Sequence, residues 1–116
     1  MKRFRVIYTE LAECDLREIH EYIALTLLEP VYAKSQSKRI IDAAAGLGRM
    51  PERFRLYDKE PWHGKGLRIM PVDNYLVFYL LSESKGTVAI IRIMYGGRDI
   101  DEQLKLTETV QEDGSP

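Results

Sequence analysis

The sequence predicts an α+β fold: a small antiparallel sheet with an N-terminal two-helix hairpin packed on one face, in the order β-α-α-β-β-β. Three observations predict it. Residues 10–27 and 30–47 each repeat apolar side chains at helical spacing; three β-rich segments follow between 67 and 95; and one short β-rich segment precedes the helices. With 116 residues and 45% hydrophobic content, the chain suits one domain around one modest core. That domain is expected over 1–106, with 107–116 a disordered tail.

The first strand is Phe4-Arg5-Val6-Ile7-Tyr8, which has no helical period. Thr9 is placed to cap a helix whose positive first turn holds Glu10 and Glu13. Ala12, Leu16, Ile19, Ile23 and Leu27 then recur three or four apart and share one face. Pro30 suits the first turn of a second helix, where its missing N–H is harmless. Ala33, Ser37, Ile40, Ala44 and Leu47 form that helix's expected buried stripe, with Ile41 beside it, and Gly48 and Pro51 end it. So short a connection predicts an antiparallel hairpin.

Pro51, Pro61, Gly64 and Gly66 punctuate a charged stretch containing Trp62 and His63. It reads as an ordered loop with a short extended piece at Arg55-Leu56-Tyr57. A strand at 67–72 turns through Asp73-Asn74 into a second at 75–81, apolar throughout as a central strand should be. A polar turn at 82–86 leads to a third at 87–95, which Gly96-Gly97 ends. Pro71 predicts one-sided pairing at that position, or a bend. Residues 98–104 are expected to make one or two helical turns, and the stretch beyond Thr107 lacks the apolar content to order itself.

Composition narrows the function classes. No run of about 18 uncharged apolar residues occurs, so no membrane span is expected. Glu10 and Glu13 interrupt any signal-like segment. Cys14 is the single cysteine, which suits a reducing cytoplasm. It has no metal-ligand spacing around it, and neither a metal nor a cofactor is expected. The net charge of −1 and pI of about 6.1 do not advertise nucleic-acid binding by the whole molecule. Charge is uneven, however. Arg49 to Arg68 holds six basic residues against three acidic ones, whereas from Asp99 onward six acids face only Lys105. A basic middle can meet an acidic partner; the alternative is a solvated loop and tail.

Three pieces of sequence together resemble the RelE/ParE toxin superfamily, over nearly the whole chain from Phe4 to about Leu104. They are Ala12-Glu13-Cys14-Asp15-Leu16-Arg17-Glu18-Ile19 with Tyr22-Ile23; Gly66-Leu67-Arg68 with Asn74-Tyr75-Leu76-Val77-Phe78-Tyr79; and Ile90 through Ile100, centred on Tyr95-Gly96-Gly97-Arg98-Asp99. The resemblance implies the toxin of a type II toxin–antitoxin, or plasmid-stabilisation, module, neutralised by a cognate antitoxin as a hetero-oligomer or dimer. It leaves the target divided between DNA gyrase, poisoned by ParE-like members through contact, and ribosome-bound mRNA, cleaved by RelE-like members. The ending is similar to the ParE-type leu-his-gly-ala-arg-asp, with Tyr95 in place of the histidine. RelE-like nucleases carry an arginine after a central-strand tyrosine, where this chain has Leu76 after Tyr75. Arg68 takes the place of one of their lysines, while Gly66 and Leu104 fall where other such residues are expected. A gyrase inhibitor is therefore the leading expectation, followed by an mRNA endoribonuclease and a non-toxic antitoxin-binding relic.

Candidate residues follow from the chemistry of each reading. Phosphodiester cleavage by a ribose hydroxyl needs a base, an acid and cations for the developing charge. Glu60, His63 and Arg68, with Arg98 at the end of the last strand, are the candidates. Arginine's planar fork suits phosphate or carboxylate, and two preceding glycines let the chain present Arg98; a structural ion pair is the plain alternative. Gly96-Gly97 lacks the spacing of a phosphate loop. Trp62, Tyr75, Tyr95 and Arg98 are the candidates for partner contact, against the alternative that strand tyrosines are core residues with a hydroxyl at the rim.

Overall fold

The computed structural model describes residues 3–97 and 99–114, with side chains as far as Thr107. Strand β1 (Arg5–Tyr8) enters helix α1 (Glu10–Glu21) through Thr9, as expected: Thr9 Oγ1 accepts from the Ala12 N–H at 3.2 Å. The same hydroxyl points at the carbonyls of Ile90 and Ile91, so the cap also ties the helix start to the sheet. Helix α1 continues into one wider π turn over Tyr22–Thr26, and Leu28, at φ 56°, ends it. The wider turn shifts the helical phase of the residues after it. Ala12 and Ile23 are buried and Leu16 and Ile19 pack against the core, but Leu27 comes out on the surface rather than in the stripe.

Helix α2 (Pro30–Ala45) starts at its proline and runs on into a 3₁₀ turn over Gly46–Gly48. Its buried face is Ala33, Gln36, Ile40 and Ala44, followed by Leu47. Gln36 takes the place expected for Ser37, and Ile41 is exposed. A glutamine is tolerated inside because its amide is paired: it donates to Asp73 Oδ2 at 2.9 Å and accepts from the Tyr32 hydroxyl at 3.1 Å. Helices α1 and α2 meet at His20 and Ser37, whose Nδ1 and Oγ lie 3.1 Å apart.

The remaining strands are β2 (Arg68–Val72), β3 (Tyr75–Ser82) and β4 (Thr87–Tyr95), and the sheet order is β1-β4-β3-β2. The ladders expected from the short turns, β2–β3 and β3–β4, are antiparallel; β1 joins β4 in parallel, so the sheet is mixed. Asp73 turns the chain at φ 55°. Pro71 faces solvent on the edge strand, where its missing N–H breaks no ladder. The register of β3 against β4 slips between Phe78 and Tyr79, making Ile91 the extra residue of a bulge.

The sheet is covered on both faces. On one, Met70, Val72, Val77, Tyr79, Val88, Ile90 and Ile93 pack under Ala12, Ile40, Ala44 and Leu47 of the helical hairpin. On the other, Ile69, Phe78, Ile91 and Met94 pack under Tyr57, Trp62 and Leu67 of the middle segment and Leu104. The middle segment is ordered, with a 3₁₀ turn at Pro51–Arg53, a bridge from Leu56 to Arg68 and a single-turn helix α3 (Trp62–Lys65) closed by Gly66 at φ 86°. Helix α4 (Ile100–Gly114) is longer than the one or two turns expected. Buried Leu104 and Thr107 attach it, and this attachment is tertiary, which a tail's own composition does not display.

Candidate partner-binding groove

Pairing of β1 with β4 stops at Tyr8 and Ile90. Beyond that point β4 continues alone along one edge, and α1 crosses beside it. Asp15 closes this edge. Its Oδ2 accepts from the Ile93 N–H at 2.9 Å and from Arg92 Nε at 2.6 Å, while Oδ1 accepts from Arg92 Nη2 at 2.9 Å. The Arg92 guanidinium also donates to Thr107 Oγ1 at 2.7 Å, so one buried ion pair joins α1, β4 and α4. This two-pronged, almost fully desolvated geometry is the strong form of an arginine–carboxylate contact.

In front of that pair lies a groove of about 650 Å³. Helix α1 and its π turn supply Asp15, Glu18, Ile19 and Tyr22; Leu27, Tyr75, Ile93 and Tyr95 complete the lining. Tyr75 and Tyr95 are cross-strand partners at the ends of β3 and β4, and their rings meet edge to face with centroids 5.9 Å apart. Burial, and then the neighbouring Tyr32, Tyr95 and Tyr22 hydroxyls, push the Tyr75 phenol above its ordinary range. Half of Tyr95 and more than half of Tyr22 remain exposed. The groove is thus an aromatic, partly wet cleft with a carboxylate rim.

The structure brings together two of the sequence-predicted partner residues, Tyr75 and Tyr95. It separates off Trp62, which is 3% exposed and belongs to the second core, with Lys65 Nζ stacked 4.9 Å from its ring centroid. A large aromatic in a punctuated loop is equally suited to anchoring that loop, and here its ring packs inside the molecule. Arg98 lies outside the described residues.

Of the proposed catalytic set, Glu60 and His63 meet, with His63 Nδ1 3.5 Å from Glu60 Oε2, both exposed on the solvent side of α3. Glu60 Oε1 also accepts from the Gly64 N–H at 2.8 Å. Arg68 points elsewhere: its guanidinium donates to the backbone carbonyls of Phe54 at 2.7 Å and Glu52 at 3.1 Å, holding the middle segment to β2. Beside it the Tyr79 hydroxyl donates to the Pro51 carbonyl, and burial pushes that phenol up to about 12. Among the described residues no group of three histidines, cysteines or carboxylates could hold a metal, and no helix is long and apolar enough to cross a membrane.

Sequence reasoning missed Asp15, Arg92, Glu18 and Tyr22. A signal existed for the first two. Arg92 is the lone charge inside an apolar strand, and Asp15 sits three residues after Ala12 on the buried face of α1. Each demanded a partner, and they are each other's.

Comparison with known proteins agrees with this architecture. Residues 6–100 match the family of the ParE toxin of the type II toxin–antitoxin system parDE. A chain of the chromosomal ParDE system from P. aeruginosa superposes with a TM-score of 0.66 at 18% identity, covering 80% of this chain and 96% of that one. A chain of the RelBE2 toxin–antitoxin complex from Mycobacterium tuberculosis gives 0.60 at 22% identity, covering 82% and 93%. Both share the fold. A search of the curated proteins finds no match. With the family match spanning helices α1 to α3 and the four-stranded sheet, the chain belongs to the ParE toxin family of type II toxin–antitoxin systems.

Proposed function

We propose that this toxin acts in the cytoplasm by inhibiting DNA gyrase through protein contact, and that a cognate antitoxin holds it inactive by laying a segment into the Tyr75–Tyr95 groove. The observation that carries the target assignment is the position of Arg68. A nuclease reading needs a cation presented to a phosphate in the transition state, and Nη1 of this guanidinium instead holds the Phe54 and Glu52 carbonyls. The antitoxin assignment draws support from the two structural neighbours, which belong to toxin–antitoxin systems. The groove adds what a docked segment requires: exposed aromatic surface at the ends of β3 and β4.

One observation favours a ribosome-dependent mRNA endoribonuclease instead, the exposed contact between Glu60 and His63. Purified protein added to gyrase and relaxed plasmid, and in parallel to a translating extract, separates the readings. Gyrase inhibition predicts loss of supercoiling with mRNA intact. Supercoiling left untouched while mRNA is cut, and cutting abolished by His63→Ala, reverses the assignment. A folded protein without effect in either assay would be a non-toxic antitoxin-binding relic.

A further inference from the structure

We propose that the groove between α1 and the end of β4 is an aromatic cation cage that takes one lysine or arginine side chain of the docking segment. The inference rests on the reading that an antitoxin occupies this groove, and it names the chemistry by which the occupant is held.

Three tyrosines from different parts of the chain converge here: Tyr22 from the π turn, Tyr75 from β3 and Tyr95 from β4. Ring faces carry negative potential and attract ammonium and guanidinium groups. The two charged residues of the lining are Asp15 and Glu18, both negative. Asp15 is neutralised from behind by Arg92 and accepts from Ile93, which occupies its oxygens. Glu18, one turn further along the same face of α1, is exposed and has no ion-pair partner among the described residues. Among the described residues, one carboxylate without an ion-pair partner therefore stands in a cleft lined by three tyrosines.

That combination selects among occupants. An acidic side chain would meet both Glu18 and the negative ring faces. A purely apolar one would cover Glu18 and leave a desolvated charge unpaired. A lysine or arginine satisfies every wall: its methylene stem lies along Ile19, Leu27 and Ile93, and its charged head reaches Glu18 between the rings.

The test uses the whole chain and, as probe, the protein encoded by the adjacent reading frame, with affinity measured at low and high salt. Glu18→Gln, a surface change that leaves the fold intact, is expected to weaken binding about tenfold and to flatten its salt dependence. Tyr95→Leu is expected to weaken it about three- to tenfold, while Tyr95→Phe, which keeps the ring, stays within about twofold of wild type. Each lysine and arginine of the probe is then changed to methionine. One of them should show a loss that disappears in the Glu18→Gln background, the mark of direct coupling. If the complex forms but no basic residue of the probe couples to Glu18, or if Tyr95→Leu binds like wild type, the cage is wrong and the antitoxin reading stands. If the wild-type chain does not bind the probe at all, both fall.

Discussion

At the scale of single residues, the contact with the greatest leverage is Asp15 with Arg92. Their side chains are 6% and 9% exposed, and each oxygen of Asp15 is engaged. A desolvated pair of this kind adds little over a well-packed apolar pair of the same volume, yet removing one member strands the other. Asp15→Leu leaves the Arg92 charge buried and the Ile93 N–H unpaired, and is expected to cost about 3–5 kcal/mol. Arg92→Met in the same chain removes the stranded charge, so the double variant should be more stable than Asp15→Leu alone. Urea denaturation midpoints measure both. Single losses that simply add, within about 0.5 kcal/mol, would show that the two residues do not act as a pair.

At the scale of elements, α4 is held by a second, more exposed set of contacts at its first turn. Asp101 accepts from Lys59 and from the Tyr57 hydroxyl, which ties the helix to the middle segment. The hydrogen bond from Lys59, then that from Tyr57, holds the Asp101 carboxyl below its ordinary value. A depressed carboxylate contributes stability that is present above its unfolded value of about 4 and is lost as pH falls through the lower folded value. Burial, followed by the hydrogen bond to Asp101, raises Tyr57, and the contact with Asp101 raises Lys59. Their contributions are present below about pH 10 and are lost on the alkaline side. Burial raises Tyr79 and Tyr8 as well, and on the acid side the hydrogen bonds from Arg39 and Gln36 depress Asp73 too, so a local reporter is needed to single out this contact. Trp62, the sole tryptophan, packs in the same cluster as Leu104 and reports on it. Its emission is expected to shift to the red below about pH 4 before global unfolding, and Asp101→Asn should show the shifted emission already at neutral pH. An emission unchanged by that substitution would mean that the first turn of α4 is not held there. The elements themselves were legible where the signal is local: the Thr9 cap, Pro30 at the head of α2, the Asp73-Asn74 turn and one-sided Pro71 all stand where expected. Leu27 and Gln36 were not, because a π turn and a hydrogen bond to a distant turn decide their burial.

At the scale of the molecule, what sequence periodicity conveyed least was the second face of the sheet. The helical stripes announce a hairpin covering one side, but an apolar strand such as β3 shows only that both of its sides are buried, not by what. The covers of the second side are Tyr57 and Trp62, which sit in a segment read as a loop, and Leu104, which sits in a stretch read as a short turn running into a tail. For the same reason the groove was half legible: Tyr75 and Tyr95 carry a recognisable pattern, whereas Glu18 and Tyr22 join them only once α1 crosses beside β4. This division of covers predicts where the chain can be shortened. Ending it after Thr107 keeps Asp101, Leu104 and the hydroxyl that receives Arg92 at 2.7 Å, and is expected to change Tm by less than about 2 °C, since every described anchor of α4 survives. Ending it after residue 99 removes all three anchors. Loss of Leu104 burial alone is worth about 1.5–3 kcal/mol, and Arg92 loses its second partner, so Tm should fall by more than about 5 °C. Ile91, Met94 and Phe78 would then lie under an opened cover, and binding of a hydrophobic dye should rise in step with the loss. Equal melting of the two shortened chains, both well below the full-length protein, would place the stabilising contacts of α4 beyond Thr107 and refute the two-sided core described for this sheet.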